Sequence, residues 1–241
     1  RAPMFTARSC CSAVAACDML HVIGGKDLSE RARGALECYD PDTDAWRRSQ
    51  GMPTARYSCG AASIGSHLYV AGGRSRHANV RGALESFDVL SQRWSTHAHM
   101  TVARAGCAAV AFHGRLYVIG GYALDSPLVD PGRAVDRCMM EPNLGLDLDD
   151  ECLPGPPAFG AVEMFDPAIG VWTSMPPIPT PRGGCAAVIA SGRIMVMGGV
   201  GKTNGESYAV VESFDPSDGT WQHSGDLPSS YFFCLGATMR C

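Results

Sequence analysis

Four glutamates recur in one setting. Glu37, Glu85, Glu163 and Glu212 each stand two residues before a Tyr or Phe that is followed by Asp. Carboxylates in such number could do acid–base work. Their recurrence argues against it, because an active site is built once whereas a scaffold position repeats. They are expected to hydrogen-bond within or between repeats. His97-Ala98-His99 would place two imidazoles on the same face of a strand, the start of a metal site, but no third ligand comes in phase. Gly198-Gly199-Val200-Gly201-Lys202-Thr203 resembles a phosphate loop, yet Val196 occupies the place of its first glycine and no helical pattern follows. The acidic run Asp147, Asp149, Asp150, Glu151 lacks the alternating order and glycine of a calcium loop.

The elements that must carry these residues show themselves as a repeat. A glycine pair returns at Gly24-Gly25, Gly72-Gly73, Gly120-Gly121 and Gly198-Gly199. Seven residues after each aromatic comes a tryptophan, at Trp46, Trp94, Trp172 and Trp221. Ten residues after the first three tryptophans comes Arg56, Arg104 or Arg182, and after the fourth Tyr231. The period is about 48 residues, with roughly 30 more in the third unit. Apolar runs such as Leu68–Ala71 and Leu116–Ile119 end at a glycine pair and have the length of strands, and no segment keeps a helical period. Four strands fit each unit: a small-residue run, the run ending at Gly-Gly, the Glu-x-aromatic-Asp run, and the run from tryptophan. One such sheet cannot bury both its faces alone, so the units must stack, and radial stacking of four-stranded sheets is a β-propeller. The fold class expected is all-β.

The order Gly-Gly, Glu-x-Tyr/Phe-Asp-Pro, Trp, Met-Pro-x-x-Arg resembles the kelch repeat. The repeat length and the endings Ala55-Arg56 and Ala103-Arg104 look most like the kelch-like adaptor subfamily, whose members carry upstream BTB and BACK regions and recruit a cullin-based ubiquitin ligase. The likeness runs over nearly the whole chain. It implies a six-bladed ring, of which this chain would supply four blades. Residues 1–8 end a preceding blade; 9–56, 57–104, 105–182 and 183–230 are the four repeats, with an insertion at about 122–160; and 231–241 form a closing strand, Phe232 to Met239 adding to a blade upstream of Arg1. The chain therefore reads as part of a longer or processed one.

Composition narrows the choices. The 241 residues are 46% apolar and 18% charged, enough for one buried core. The net charge of −4 gives no basic field for nucleic acid or membrane, and no apolar run is long enough to span a bilayer. Of eleven cysteines, Cys11, Cys59, Cys107, Cys185 and Cys234 share one phase of the repeat. In a propeller that phase places them in different blades, too far apart to bridge, so they read as small buried residues. The odd count and the lack of an Asn-x-Ser/Thr sequon point to a reducing compartment, the cytoplasm or nucleus. The insertion, with six prolines, reads as disorder, with a functional loop as the alternative.

In the resembled family, partners dock on the face where the fourth strand passes to the next blade. Arg8, Arg56, Arg104 and Arg182 would form a cationic ring there, or each would bond carbonyls of its own turn; the sequence leaves both open. On the first reading, replacing Arg56 and Arg104 by alanine would weaken binding and spare the fold. Tyr57, Tyr231 and the basic loop residues Arg74, Arg76, His77 and Arg81 complete the candidate set. The expected function is recognition of a protein or peptide, acidic or turn-forming, with no catalytic residue, metal or other cofactor. A scaffold that binds actin filaments is the alternative. A propeller enzyme, such as a copper sugar oxidase or a sialic acid epimerase, ranks lower, because no unique polar cluster can be assigned to it.

Overall fold

In a computed structural model the described residues are 1–75, 82–122, 160–201 and 207–231. They hold sixteen strands in four antiparallel sheets. The first sheet is β1 (Ser12–Ala16), β2 (Met19–Ile23), β3 (Leu36–Asp40) and β4 (Ala45–Ser49). The second is β5 (Gly60–Ile64), β6 (His67–Ala71), β7 (Leu84–Asp88) and β8 (Arg93–His97). The third is β9 (Ala108–Phe112), β10 (Arg115–Ile119), β11 (Val162–Asp166) and β12 (Val171–Met175). The fourth is β13 (Ala186–Ala190), β14 (Arg193–Met197), β15 (Val210–Asp215) and β16 (Thr220–Asp226). Each sheet is a simple meander in chain order. The architecture is a series of four-stranded propeller-type blades, as expected. The insertion beyond Tyr122, the closing segment Phe232 to Met239, Cys138, Cys152 and Cys234 fall outside the described residues.

The repeated spacings are hairpin geometry. Phe87 pairs across β7 and β8 with Trp94, and Tyr39–Trp46, Phe165–Trp172 and Phe214–Trp221 pair likewise. The seven-residue interval is what sets each aromatic opposite its indole, with ring centroids 4.9–5.2 Å apart. The Asp after each aromatic closes the turn between those strands. Asp40, Asp88, Asp166 and Asp215 each accept a hydrogen bond from the backbone N–H two residues on.

Both faces of the interior sheets are buried, which is why the second strands read as unbroken apolar runs. In β6, Leu68 and Val70 join the cluster shared with the first sheet, while Tyr69 and Ala71 join the cluster shared with the third. The innermost strands pack in series, β1 on β5, β5 on β9 and β9 on β13. The end flanks are open. Leu20 is 38% exposed where Leu68, Leu116 and Ile194 are fully buried. At the other end Met195 and Met197 are half-buried where Tyr69 and Ala71 are buried.

Adjacent sheets are joined by one recurring device that combines the arginine, the glutamate, the tryptophan and the glycine pair. The guanidiniums of Arg8, Arg56, Arg104 and Arg182 are shut off from solvent. They reach into the following sheet, to Glu37 (3.8 Å), Glu85 (3.1 Å), Glu163 (2.6 Å) and Glu212 (2.5 Å). They also donate to its carbonyls, Arg8 to Ala35 and Val22, Arg56 to Val70, Arg104 to Ala161, and Arg182 to Gly198 and Val210. The same glutamates accept from the incoming chain: Phe5 N–H, Thr54 Oγ1, Thr101 N–H and Thr180 Oγ1. Six residues before each arginine, the carbonyls of Ala2, Gln50, Ala98 and Pro176 accept from the next sheet's indole N–H at 2.7–2.9 Å. Behind, the carbonyls of Arg56, Arg104 and Arg182 accept from Gly25, Gly73 and Gly121 of the preceding sheet. The first glycine of each pair is required by this approach. Gly24 has φ +66°, and a Cβ on it would stand 2.5 Å from the Arg56 carbonyl oxygen.

A solvent-facing arginine ring is therefore not what forms. The guanidiniums are inside the joints, and the carbonyls they bond belong to the following sheet, with one own-turn contact besides, from Arg182 Nε to Thr180 O at 3.0 Å. Burial pulls the pKa of Arg104 and of Arg182 down, but an arginine stays charged there because a carboxylate faces it. The tryptophans do serve inter-blade contact, through the indole N–H as well as through packing.

Two outcomes follow for stability. Arg104→Met is expected to cost about 3–5 kcal/mol, since it strands the buried Glu163 carboxylate, and Arg104→Met/Glu163→Met to recover most of that loss in denaturant titration. Gly72→Ala, at φ +67° and against the Arg104 carbonyl, is expected to cost about 4 kcal/mol or more, while Gly65→Ala, at φ +58° with nothing near it, costs about 1–2 kcal/mol.

Candidate partner-binding face

The joints end in a set of turns that surrounds one end of the inner strands. The residue two after each arginine is left-handed: Cys10 (φ 53°), Ser58 (φ 52°), Gly106 (φ 62°) and Gly184 (φ 62°). These turns bond one to the next, Ser58 N–H to Cys10 O, Gly106 N–H to Ser58 O and Gly184 N–H to Gly106 O, each at 2.8 Å. Just past them the thiols of Cys59, Cys107 and Cys185 are buried and unpaired. Desolvation pushes their pKa up, to about 12 for Cys185, which makes them packing groups rather than nucleophiles.

At this rim the residue after each arginine pairs with the residue after each glycine pair. The pairs are Ser9 with Lys26, Tyr57 with Arg74, Ala105 with Tyr122, and Gly183 with Val200. Backbone geometry is the same in all four, and the side chains differ in every one. This is the place where the repeat stops repeating, hence where a site can be built once.

Its chemistry is cationic and aromatic. Lys26 Nζ and Arg74 Cζ each lie 5.7 Å from the ring centroid of Tyr57. Lys26, 5% exposed, also meets Glu30 at 2.6 Å, and that carboxylate is 63% exposed. The Tyr122 ring lies against Gly106 and Gly183, where a Cβ on either would strike it. Burial pushes the Tyr122 phenol pKa up, and its hydroxyl is out of contact with solvent. Tyr231 takes the backbone place of an arginine, its carbonyl accepting from Gly199 N–H at 2.6 Å, and its side chain is 50% exposed. The sheet after it would have to supply the glutamate for an arginine there, and no such sheet follows among the described residues.

Of the residues singled out in the sequence, the structure brings Tyr57 and Arg74 together and leaves Tyr231 exposed beside the glycine pair of the fourth sheet. It withdraws Arg8, Arg56, Arg104 and Arg182 into the joints. Arg76, His77 and Arg81 lie outside the described residues, as do Lys202 and Thr203. Lys26 and Tyr122 were missed, though their shared position after a glycine pair was a usable signal. His97 hydrogen-bonds Ser86 Oγ at 2.7 Å and packs beside Tyr69 and Phe165, while His99 is exposed. No group of three metal-ligating side chains occurs among the described residues.

The comparisons with known proteins agree with this architecture. The kelch motif matches residues 7–53, 55–101, 103–128 and 181–228. No curated protein matches the chain in sequence. Among solved structures, that of YjhT superposes with a TM-score of 0.72 over 95% of this chain and 68% of that one, at 16% identity, which is a likeness of fold alone. With its motif present in four copies over most of the chain and in four matching sheets, the protein belongs to the kelch-repeat family.

Proposed function

We propose that the chain is a protein-interaction module that takes its partner on the rim formed by the rungs Ser9–Lys26, Tyr57–Arg74, Ala105–Tyr122 and Gly183–Val200. The kelch propeller is a fold commonly used for that purpose. The observation that carries the reading is the contrast within each repeat. Joint residues recur in every blade, whereas rim side chains are different in each and gather two cations on one tyrosine. Exposed Tyr231 extends the same reading, since a rigid aromatic with a polar tip suits an interface.

Within that class we favour the substrate-recognition propeller of a kelch-like adaptor for a cullin-based ubiquitin ligase, working in the cytoplasm. The seven described cysteines are all unpaired, which suits a reducing compartment. Affinity capture of the protein in its native full-length form tests this. A partner is expected that Tyr57→Ala loses and Arg93→Ala, on the exposed outer strand β8, keeps, and a cullin is expected to accompany it. Co-sedimentation with filamentous actin and no cullin would make the protein a scaffold instead. Stoichiometric copper or turnover of a sugar would make it an enzyme.

A further inference from the structure

The first joint is completed differently from the other three. Glu85, Glu163 and Glu212 each meet a donor within 3.1 Å at both carboxylate oxygens. Glu37 accepts from Phe5 N–H at Oε2, but its Oε1 has no hydrogen bond, and Arg8 stands 3.8 Å from it, beyond bonding reach. The Glu37 side chain is 1% exposed. A carboxylate oxygen kept out of water without a donor is costly, so this one calls for a donor from outside the joint.

There is room for one. Glu37 lines a cleft of about 460 Å³, together with Thr6, Leu36, Arg48, Ser49 and Met52. That volume is in the range of small-molecule sites. Arg48 is the partner of Glu37 across β3 and β4, so both side chains rise from one face of the sheet. The places opposite Glu85, Glu163 and Glu212 hold Thr96, Ser174 and His223, so among the four joints this guanidinium is built once. Arg48 and Glu37 do not pair. Arg48 lies over the Phe5 ring, 4.9 Å from its centroid, and meets no carboxylate among the described residues. Phe5 thus holds both charges in place, its N–H on the glutamate and its ring against the guanidinium.

The two groups lack different things. Arg8 faces Glu37 inside the joint and offsets its charge, so Oε1 wants a hydrogen bond rather than a cation. Arg48 wants an anion. We infer that the cleft is a binding site for a small hydroxy carboxylate, whose hydroxyl donates to Glu37 Oε1 while its carboxylate meets Arg48. An amine in place of the hydroxyl would bring a second positive charge beside Arg8.

The test is calorimetric titration of the protein in its native full-length form with D- and L-lactate, D- and L-glycerate and D- and L-mandelate. At least one is expected to bind. Its analogue without the hydroxyl, such as propionate for lactate, is expected to bind about tenfold more weakly or worse, since a site built for a hydroxyl rejects the ligand lacking it. The methyl ester, which has no charge for Arg48, is expected to lose as much. Arg48→Gln, at an exposed position on β4, is expected to weaken binding about tenfold and to melt like the wild type. Should that variant fail to fold, the analogue series decides alone. Equal binding of the analogue without the hydroxyl would overturn the assignment, leaving Arg48 as ordinary surface charge. Equal binding of alanine would overturn it in favour of an ammonium group. No binding by any of the six acids, or unchanged binding by folded Arg48→Gln, also overturns it.

Discussion

A buried arginine that belongs by chain to one blade and by contact to the next is the constraint on which the structure depends. Its backbone carbonyl holds the glycine pair of the sheet behind, and its side chain enters the sheet ahead to meet a glutamate. Separate sheets of five- to seven-residue strands have little to keep them in register with one another beyond apolar contact, which is non-directional. The ion pair, the indole hydrogen bond and the glycine approach supply direction at three points of each interface. Moving one blade by a residue would break all three at once. A buried ion pair is a weak source of net stability but a strong source of specificity of this kind, because mispairing leaves a charge stranded.

This explains why four motifs widely separated in sequence travel together. The glycine pair, the glutamate, the tryptophan and the arginine are parts of one joint, so each is needed wherever the others occur. The end of the series obeys the same logic. After the fourth sheet no following glutamate is present among the described residues, and the arginine position holds Tyr231, whose backbone still makes the glycine contact. The backbone half and the side-chain half of the joint are thus separable, and only the second needs a neighbour.

Much of the fold was legible in the sequence because these contacts are local in period. Trp94 opposite Phe87 is a hairpin register, and the run Leu68 to Ala71 ends where Gly72 must turn, so strands and blades could be placed from spacing. The site was less legible. Arg56 and Arg104 could be read as part of a cationic ring or as bonding carbonyls of their own turns, and nothing within one repeat shows that the partner carboxylate lies in the next. Glu85 and Glu163 were assigned to hydrogen bonding correctly, yet pairing them with those arginines needed the stack. Lys26 and Tyr122 went unnoticed for the opposite reason. They occupy a repeated position with unrepeated side chains, and the significance of that position appears only when the rungs are seen to lie on one rim.

The measurement that tests the joint most directly is hydrogen exchange of the Gly25, Gly73 and Gly121 amides, read residue by residue by NMR. These amides sit at the ends of hairpins and would exchange freely if the blades were merely in contact. If the arginine carbonyls clamp them, they will exchange as slowly as the central strands β6 and β10 and open only with the stack. Exchange at the rate of the exposed β3–β4 turn would contradict the account, because it would mean that the blades separate without breaking anything the rest of the structure needs.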